Sequence, residues 1–414
     1  MPETKSTKER IPEGWVETTL GEICDVKGGK RLPKGSSLVI EKTNHPYIRI
    51  TDLNKHQVIK SGLEYVPDEI FSKISRYIVN SGDIIISIVG TIGLVAEIDD
   101  DLNEASLTEN CVKLINLNQT ESKYLFYYLV SRRGQYEINR NTVGAVQKKL
   151  PIYGVQNIEI LLPPLPEQRA IADVLSSFDD KIELLREQNK ILEQTAQTIF
   201  KEWFGKYSVD RPEELPHGWR IENIGEKNFS EVIGSGIKKF DGEKIYLATA
   251  DVSNNNITNI DTKITYENRA SRANMQPVEK SIFFAKMQDS RKLLMFDDFS
   301  KSDIENMILS TGFAGIKTTE ISHYYLWNFV LSSQFDDLIN NLANGAVQVA
   351  LNNISLKKIQ VVVPNDEVLK NFNKIVKPLF KKIFTNKSQI QSLEKTRDTL
   401  LPKLMRGEVR VSLN

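Results

Sequence analysis

Cysteine, histidine and net charge are what this 414-residue chain has least of. Two cysteines, Cys24 and Cys111, are too few for a disulfide framework or a thiolate zinc site. The four histidines, His45, His56, His217 and His323, stand in no metal-ligand spacing. No apolar run is long enough to span a bilayer, and the opening MPETKSTKERIPEGW lacks the apolar segment of a secretory signal, so the expectation is a cytoplasmic protein. Walker loops and Gly-x-Ser-x-Gly elbows are missing as well. Acidic groups such as Asp99-Asp100-Asp101 and Asp297-Asp298 read as solvated turns rather than metal sites. The chain therefore reads as non-catalytic. Lys and Arg (54) balance Asp and Glu (54), so nothing about the whole molecule attracts nucleic acid, and any such contact has to come from local basic clusters.

What is present is a long heptad seam. Ile171, Leu175, Phe178, Ile182, Leu185, Asn189, Leu192, Ala196, Ile199 and Trp203 alternate steps of 4 and 3, apolar at every position but Asn189. Pro163, Pro164 and Pro166 stop whatever precedes it. At about 1.5 Å per residue the seam runs roughly 48 Å. An ordinary core helix is the plainer reading, but a stripe this strict and long favours a coiled coil and needs a partner.

The same chain supplies one. Leu369, Phe372, Val376, Leu379, Ile383, Asn386, Ile390, Leu393, Arg397, Leu400 and Leu404 repeat the 3-4 spacing, with Pro378 inside the seam expected to kink it or remove a hydrogen bond there. Residues 167–203 carry a net charge of −3 and residues 367–405 a net +6, which favours pairing with each other over self-pairing. An antiparallel register that faces Asn189 with Asn386 sets Trp203 on Phe372 and Phe178 on Arg397. The Arg397 guanidinium then has either the Phe178 ring or water to meet. The two asparagines would fix alignment rather than add stability.

The two halves repeat one plan, at offsets of 199 to 204. Gly14-Trp15 answers to Gly218-Trp219, and Tyr47–Leu53 to Tyr246–Val252. Gly144-Ala145-Val146-Gln147 recurs unchanged as Gly345-Ala346-Val347-Gln348, and Ile158–Pro163 as Ile359–Pro364. The expected class is α+β, two duplicated mixed domains joined by two long helices that form an antiparallel coiled coil. The expected bounds are 1–163, 164–206, 207–364 and 365–414. Strands are expected over Tyr47–Ile50, Asp83–Val89, Leu94–Ile98, Ile158–Leu162, Lys280–Phe284 and Leu293–Phe296. Helices are expected over Ser122–Arg133, ended by Gly134, and over Tyr324–Asn341.

Two loops have the composition of a phosphate contact. Lys27, Gly28, Gly29, Lys30, Arg31 and Lys34 combine basic side chains with glycines, and Gly234-Ser235-Gly236-Ile237-Lys238-Lys239 answers to them in the second half. Either loop alone is equally consistent with a solvated surface turn; two at matching places favour function. Gln147 with Lys148 and Lys149, and Gln348 in the repeat, are candidates to place an amide at a base edge or simply mark a turn entering a strand. The candidate DNA contacts are Lys30, Arg31, Lys34, Arg49, Thr51, Thr91, Gln147, Lys148, Ser235, Lys238, Lys239, Thr249 and Gln348, with Asn189 and Asn386 as register residues. No catalytic residue and no metal ligand is assigned.

Pro163–Phe204 and Arg397–Met405 resemble the central and C-terminal regions of the specificity subunits of type I restriction-modification systems, and the duplication extends the likeness over nearly the whole chain. The resemblance implies two target recognition domains, each reading half of a split double-stranded DNA site, with the helices fixing the gap. It implies two modification subunits that methylate adenine with S-adenosylmethionine, and restriction subunits that use ATP and Mg, so no cofactor is expected on this chain. Val363-Pro364-Asn365-Asp366-Glu367 departs from the Pro-Pro-Leu-Pro-Glu-Gln that opens the first helix. A duplicated protein–protein scaffold is the alternative.

Overall fold

The computed structural model describes residues 11–54, 56–225, 229–344 and 351–412. Among them two helices are far longer than the rest: a central one, Leu165–Phe204, and a C-terminal one, Asp366–Met405, each of 40 residues. The chain divides into two compact units, 1–183 with 390–414, and 184–389, so each unit takes part of both helices.

Burial of the seams holds each helix in its unit. In the first unit Ile171 and Leu175 share a core with Leu404 and Met405. In the second, Ala196, Phe200 and Phe204 share one with Leu369, Phe372, Val376 and Ile383. Each time an early part of one helix meets a late part of the other, which is antiparallel packing. Within the second unit, Trp203 and Phe372 place their rings 5.9 Å apart, and Asn386 Nδ2 donates to Asn189 Oδ1 at 2.9 Å. The Asn386 side chain is wholly buried, and its Oδ1 has no hydrogen-bond partner among the described residues.

The C-terminal helix is continuous through Pro378. One expectation about the seam is corrected. Arg397 has charged partners that the register left out: its guanidinium pairs with Asp179 and Asp398, and Tyr127 Oη donates to Asp179 Oδ2 at 2.6 Å. A carboxylate one residue along from Phe178 is a stronger partner for the cation than the ring itself.

The two units carry sheets of one topology. In the first, β1 (Asp25–Gly28), β2 (Ile84–Ser87), β3 (Val95–Glu97) and β4 (Cys111–Ile115) stand in the order β1-β4-β2-β3. In the second, β5 (Ser230–Ile233), β6 (Ser281–Ala285), β7 (Leu293–Phe296) and β8 (Phe313–Thr318) stand in the order β5-β8-β6-β7. All these neighbours are antiparallel. Ile84, Ile86, Val112 and Leu114 bury one face of the first sheet against Tyr124, Leu125 and Tyr128. A closing strand pair, Val16–Thr19 with Glu159–Leu162 and Arg220–Asn223 with Gln360–Val363, leads each unit into its long helix.

Each expected domain helix is two helices. Ser122–Val130 and Arg132–Arg140 are separated by Ser131, which is extended (φ −66, ψ 161) and accepts from Gly134 N with its Oγ. Gly134 therefore lies inside the second helix rather than ending the first. His323–Val330 and Ser333–Asn344 are parted in the same way, with Ser332 Oγ donating to Phe329 O at 2.6 Å. A serine hydroxyl satisfying backbone groups at a helix boundary competes with helix continuation.

The start of the central helix is an anchor. Gln168, wholly buried, accepts from Glu121 N and donates to Gln119 O and Pro163 O. Glu167, 4% exposed, accepts from Trp15 Nε1 at 3.1 Å and from both ends of the Arg410 fork at 2.5 and 2.9 Å. The second unit closes the corresponding region with rings instead: Trp219 lies 4.6 Å from Tyr207 and 6.0 Å from Phe204, which lies 5.1 Å from Phe372.

The asparagine layer makes a prediction. Asn386→Leu alone should cost about 0.5–1.5 kcal/mol, because the half-buried Asn189 loses its hydrogen-bond partner. Asn189→Leu together with Asn386→Leu should cost less than the two single changes added, as read from urea denaturation. Additive losses would show the amides to be uncoupled.

Candidate nucleic-acid interface

One end of the first sheet collects the candidate contacts of that unit. β1 and β2 finish there, β3 and β4 begin there, and the connecting segments pile up beside them. Lys30 follows β1; its N–H donates to Leu107 O at 2.8 Å and its ammonium stands 5.7 Å from the centre of the Tyr77 ring. Gly29 serves an internal approach, since a Cβ there would stand 2.1 Å from Thr108 O. Lys30, Arg31 and Lys34 are exposed, and Arg31 pairs with Glu109 at 2.6 Å. Thr108 N donates to Ile48 O, which brings the turn Ile50–Asp52 to the same rim. Thr51 is exposed there, whereas Arg49 is committed: its fork grips Asp52 at 3.1 and 3.1 Å and a further nitrogen meets Glu64 at 2.6 Å.

The β2–β3 turn is held by a wholly buried serine. Ser87 Oγ donates to Thr91 O at 2.6 Å and accepts from Leu94 N at 2.9 Å, leaving the Thr91 side chain exposed. Next to it lies the turn 143–149, closed by two backbone hydrogen bonds of 2.9 Å between Val143 and Lys149 and tied to the rim by Leu150 N donating to Ile88 O. Gly144 has φ +99, and a Cβ there would meet Gln147 O at 2.4 Å, so this turn needs glycine. Gln147 and Lys148 are exposed on it. Lys30, Arg31, Thr51, Thr91, Gln147 and Lys148 thus share one rim, with Lys34 in the exposed segment that follows Arg31.

The second unit repeats the arrangement with other side chains. Ser235, Lys238 and Lys239 are exposed on the segment after β5, and Gly236 N donates to Asn274 O. Thr249, half-buried, crowds Gly312 together with Arg272, and its carbonyl accepts from Lys292 Nζ at 2.6 Å. Gln348 lies outside the described residues. Two cations were not singled out from the sequence. Lys286 stands where Ile88 stands in the first unit: its N donates to Gly312 O and its carbonyl accepts from Leu351 N, as Ile88 does with Asn110 and Leu150. Burial holds its ammonium below the usual lysine range. Arg272 is exposed beside it. The sequence repeat does not point to Lys286: its offset from Ile88 is 198, outside the 199 to 204 of the matched stretches, and the residue in the first copy is an isoleucine.

One constellation has the residue types of an active site and the burial of a core. Asp297 and His323 are wholly buried. Asp297 receives the Tyr324 hydroxyl and Lys280 Nζ, the latter at 2.9 Å; His323 Nδ1 meets Thr318 Oγ1 at 2.7 Å, and its Nε2 stands 4.0 Å from Asp297 Oδ2. Asp297 is therefore not the solvated turn residue expected of Asp297-Asp298. Its partners hold its carboxyl below the ordinary carboxylate range against the cost of burial. Among the described residues no His, Cys, Asp and Glu group could hold a metal ion, and no helix is long and apolar enough to cross a membrane.

Residues 12–194 match the type I restriction modification DNA specificity domain. Over 97% of its length the chain is 26% identical to the type I restriction enzyme MjaIX specificity subunit of Methanocaldococcus jannaschii, 95% of which is covered. It is 22% identical to the HindI specificity subunit of Haemophilus influenzae, over 75% of this chain and 83% of that one. In fold it is similar to the crystal structure of the type I restriction-modification system S subunit from M. genitalium, with a TM-score of 0.56 and 19% identity over 96% of this chain and 97% of that one.

The buried histidine predicts an acid sensitivity. Burial pushes the His323 pKa down from 6.5 to about 4. Between those values the unfolded chain binds a proton that the folded chain refuses, so stability falls as pH drops through that window and is unaffected above it. The loss should reach roughly 3 kcal/mol at most. His323→Gln should flatten the stability profile from pH 6.5 to 4 in urea denaturation; an unchanged slope would place the sensitivity elsewhere.

Proposed function

Because this chain belongs to the specificity subunits of type I restriction-modification systems, a non-catalytic part of the enzyme complex that works in assembly with other subunits, we propose that each of its units reads one half of a split double-stranded DNA site through the rim described above. The observation that carries this is the gathering, at one end of one sheet, of Lys30, Arg31, Lys148, Thr51, Thr91 and Gln147, which are far apart in sequence. Ammonium and guanidinium groups set a protein on phosphates, while hydroxyls and amides reach base edges. Ser235, Lys238, Lys239, Thr249 and Gln348 take the same role in the second unit. Arg49 acts differently: with its fork on Asp52 and Glu64 it shapes the turn that presents Thr51.

On this reading segments 1–163 and 207–364 are the two recognition domains, and 164–206 and 365–414 carry the helices that set the spacing between half-sites. Forty helical residues extend about 60 Å, well over one B-DNA turn of about 34–36 Å. The partners are two modification subunits, which bring S-adenosylmethionine, and restriction subunits, which bring ATP and Mg. This chain supplies the address and no reacting group. Asn189 and Asn386 keep the helices in register.

Affinity supplied by a few exposed cations must be steeply salt-dependent and local. In the complex assembled with its modification subunits, Lys30→Ala, Arg31→Ala and Lys34→Ala combined should reduce the slope of log affinity against log salt by roughly one to three, about 0.9 for each phosphate that is no longer neutralised. An unchanged slope would remove this loop from the DNA face.

A further inference from the structure

We propose that the first unit recognises thymine by its methyl group, through an aliphatic cluster of Val146, Val143 and Val89 on the rim. The inference rests on the reading of that rim as the DNA face and adds what it reads. Val89, distant in sequence, is brought by backbone pairing to the turn that carries Val143 and Val146. Lys149 is bridged on one side to Val143 and on the other to Val89. Residues directly opposed across paired strands point their side chains to the same face, about 4.5–5.5 Å apart. Val89, Lys149 and Val143 therefore form one row.

That row faces solvent. Val89 is 40% exposed, Val143 37%, and Val146, at the tip of the turn, 99%. A single exposed valine would need no explanation. Three on adjoining backbone, in a turn closed by paired hydrogen bonds and a required glycine, ringed by Thr91, Gln147, Lys148 and Lys149, form a rigid apolar patch inside a polar, cationic rim. Of the four bases only thymine shows an apolar group in the major groove, its C5 methyl, and aliphatic side chains are suited to meet it. The lysines beside the patch supply the phosphate contacts that would hold it at that depth. The second unit repeats Val146 as Val347 in sequence but has Met287, 59% exposed and the longer, more adaptable side chain, where Val89 stands in the first.

The test uses the assembled complex and a duplex carrying the site given by its methylation map. Replacing thymine with deoxyuridine, one position at a time, in the half-site assigned to the first unit should weaken binding about fourfold at one or two positions, the worth of one buried methyl group. Val146→Ala should weaken binding of the thymine duplex by a similar factor and respond less than twofold to deoxyuridine at the same positions. Lys148→Ala reports on the rim itself and should lower the salt slope by about one. If Lys148→Ala lowers the slope but every deoxyuridine duplex binds the parent complex as thymine does, the methyl reading alone is overturned. If Lys148→Ala leaves the slope unchanged, the rim is not a DNA face and both readings fall. A half-site without a T·A pair, or a Val146→Ala chain that no longer assembles with the modification subunits, also overturns the proposal, the latter by assigning the valines to a protein contact.

Discussion

An apolar stripe on a 40-residue helix cannot be left in water, and the rest of this molecule is arranged around that constraint. Burying Ile171 and Leu175 with Leu404 and Met405, and Phe200 and Phe204 with Phe372 and Val376, gives each unit a core made partly of helix and partly of domain. The domain residues are not a separate layer on the helices. Tyr124 and Tyr128 lie in the core that holds Ile171, and Tyr325 and Trp327 in the one that holds Phe372. A helix that finishes the core of its own unit cannot turn without disturbing that unit. The charged pairs then select details. Arg397 between Asp179 and Asp398 occupies a seam position at which an aliphatic residue would pack without any choice of partner.

The duplication keeps topology and discards chemistry. Both sheets have one strand order, both helix pairs break at a serine, and both rims are built from the same strand ends. The locks differ. Gln135 Nε2 ties the β2–β3 turn to the helix boundary through Gly93 O and Leu129 O in the first unit, and Arg291 does so through Asp336 and Leu331 O in the second. Charge holds the start of the central helix, and aromatic rings hold the start of the second unit. On the proposed reading, a scaffold that repeats while its rims diverge is what two different half-sites would require.

Much of this was legible in the sequence because periodicity and repetition report on burial. The seams, the partner helix and the Asn189–Asn386 layer follow from spacing alone, and the β2–β3 hairpin from its β-branched run and glycines. What could not be read depended on side chains meeting across long separations. Arg49 reads as a free cation until Asp52 and Glu64 are seen around it. Asp297 reads as a turn residue until Lys280 and Tyr324 are seen to enclose it. Gly134 reads as a helix stop, although it follows the stop, because the serine that breaks the helix looks like any other. Lys286 and the valine row were invisible for a further reason: their meaning comes from position on the rim, which no local pattern encodes.

The claim that most needs testing is that the two helices act as the ruler between half-sites. Inserting seven residues into each helix, at facing positions and in the same heptad register, keeps every seam contact and lengthens the pair by about 10 Å. Mapping methylated adenines with the complex carrying this chain should then show both half-sites unchanged and the gap between them longer by about three base pairs. Unaltered spacing, with the lengthened chain assembled and active, would contradict the account.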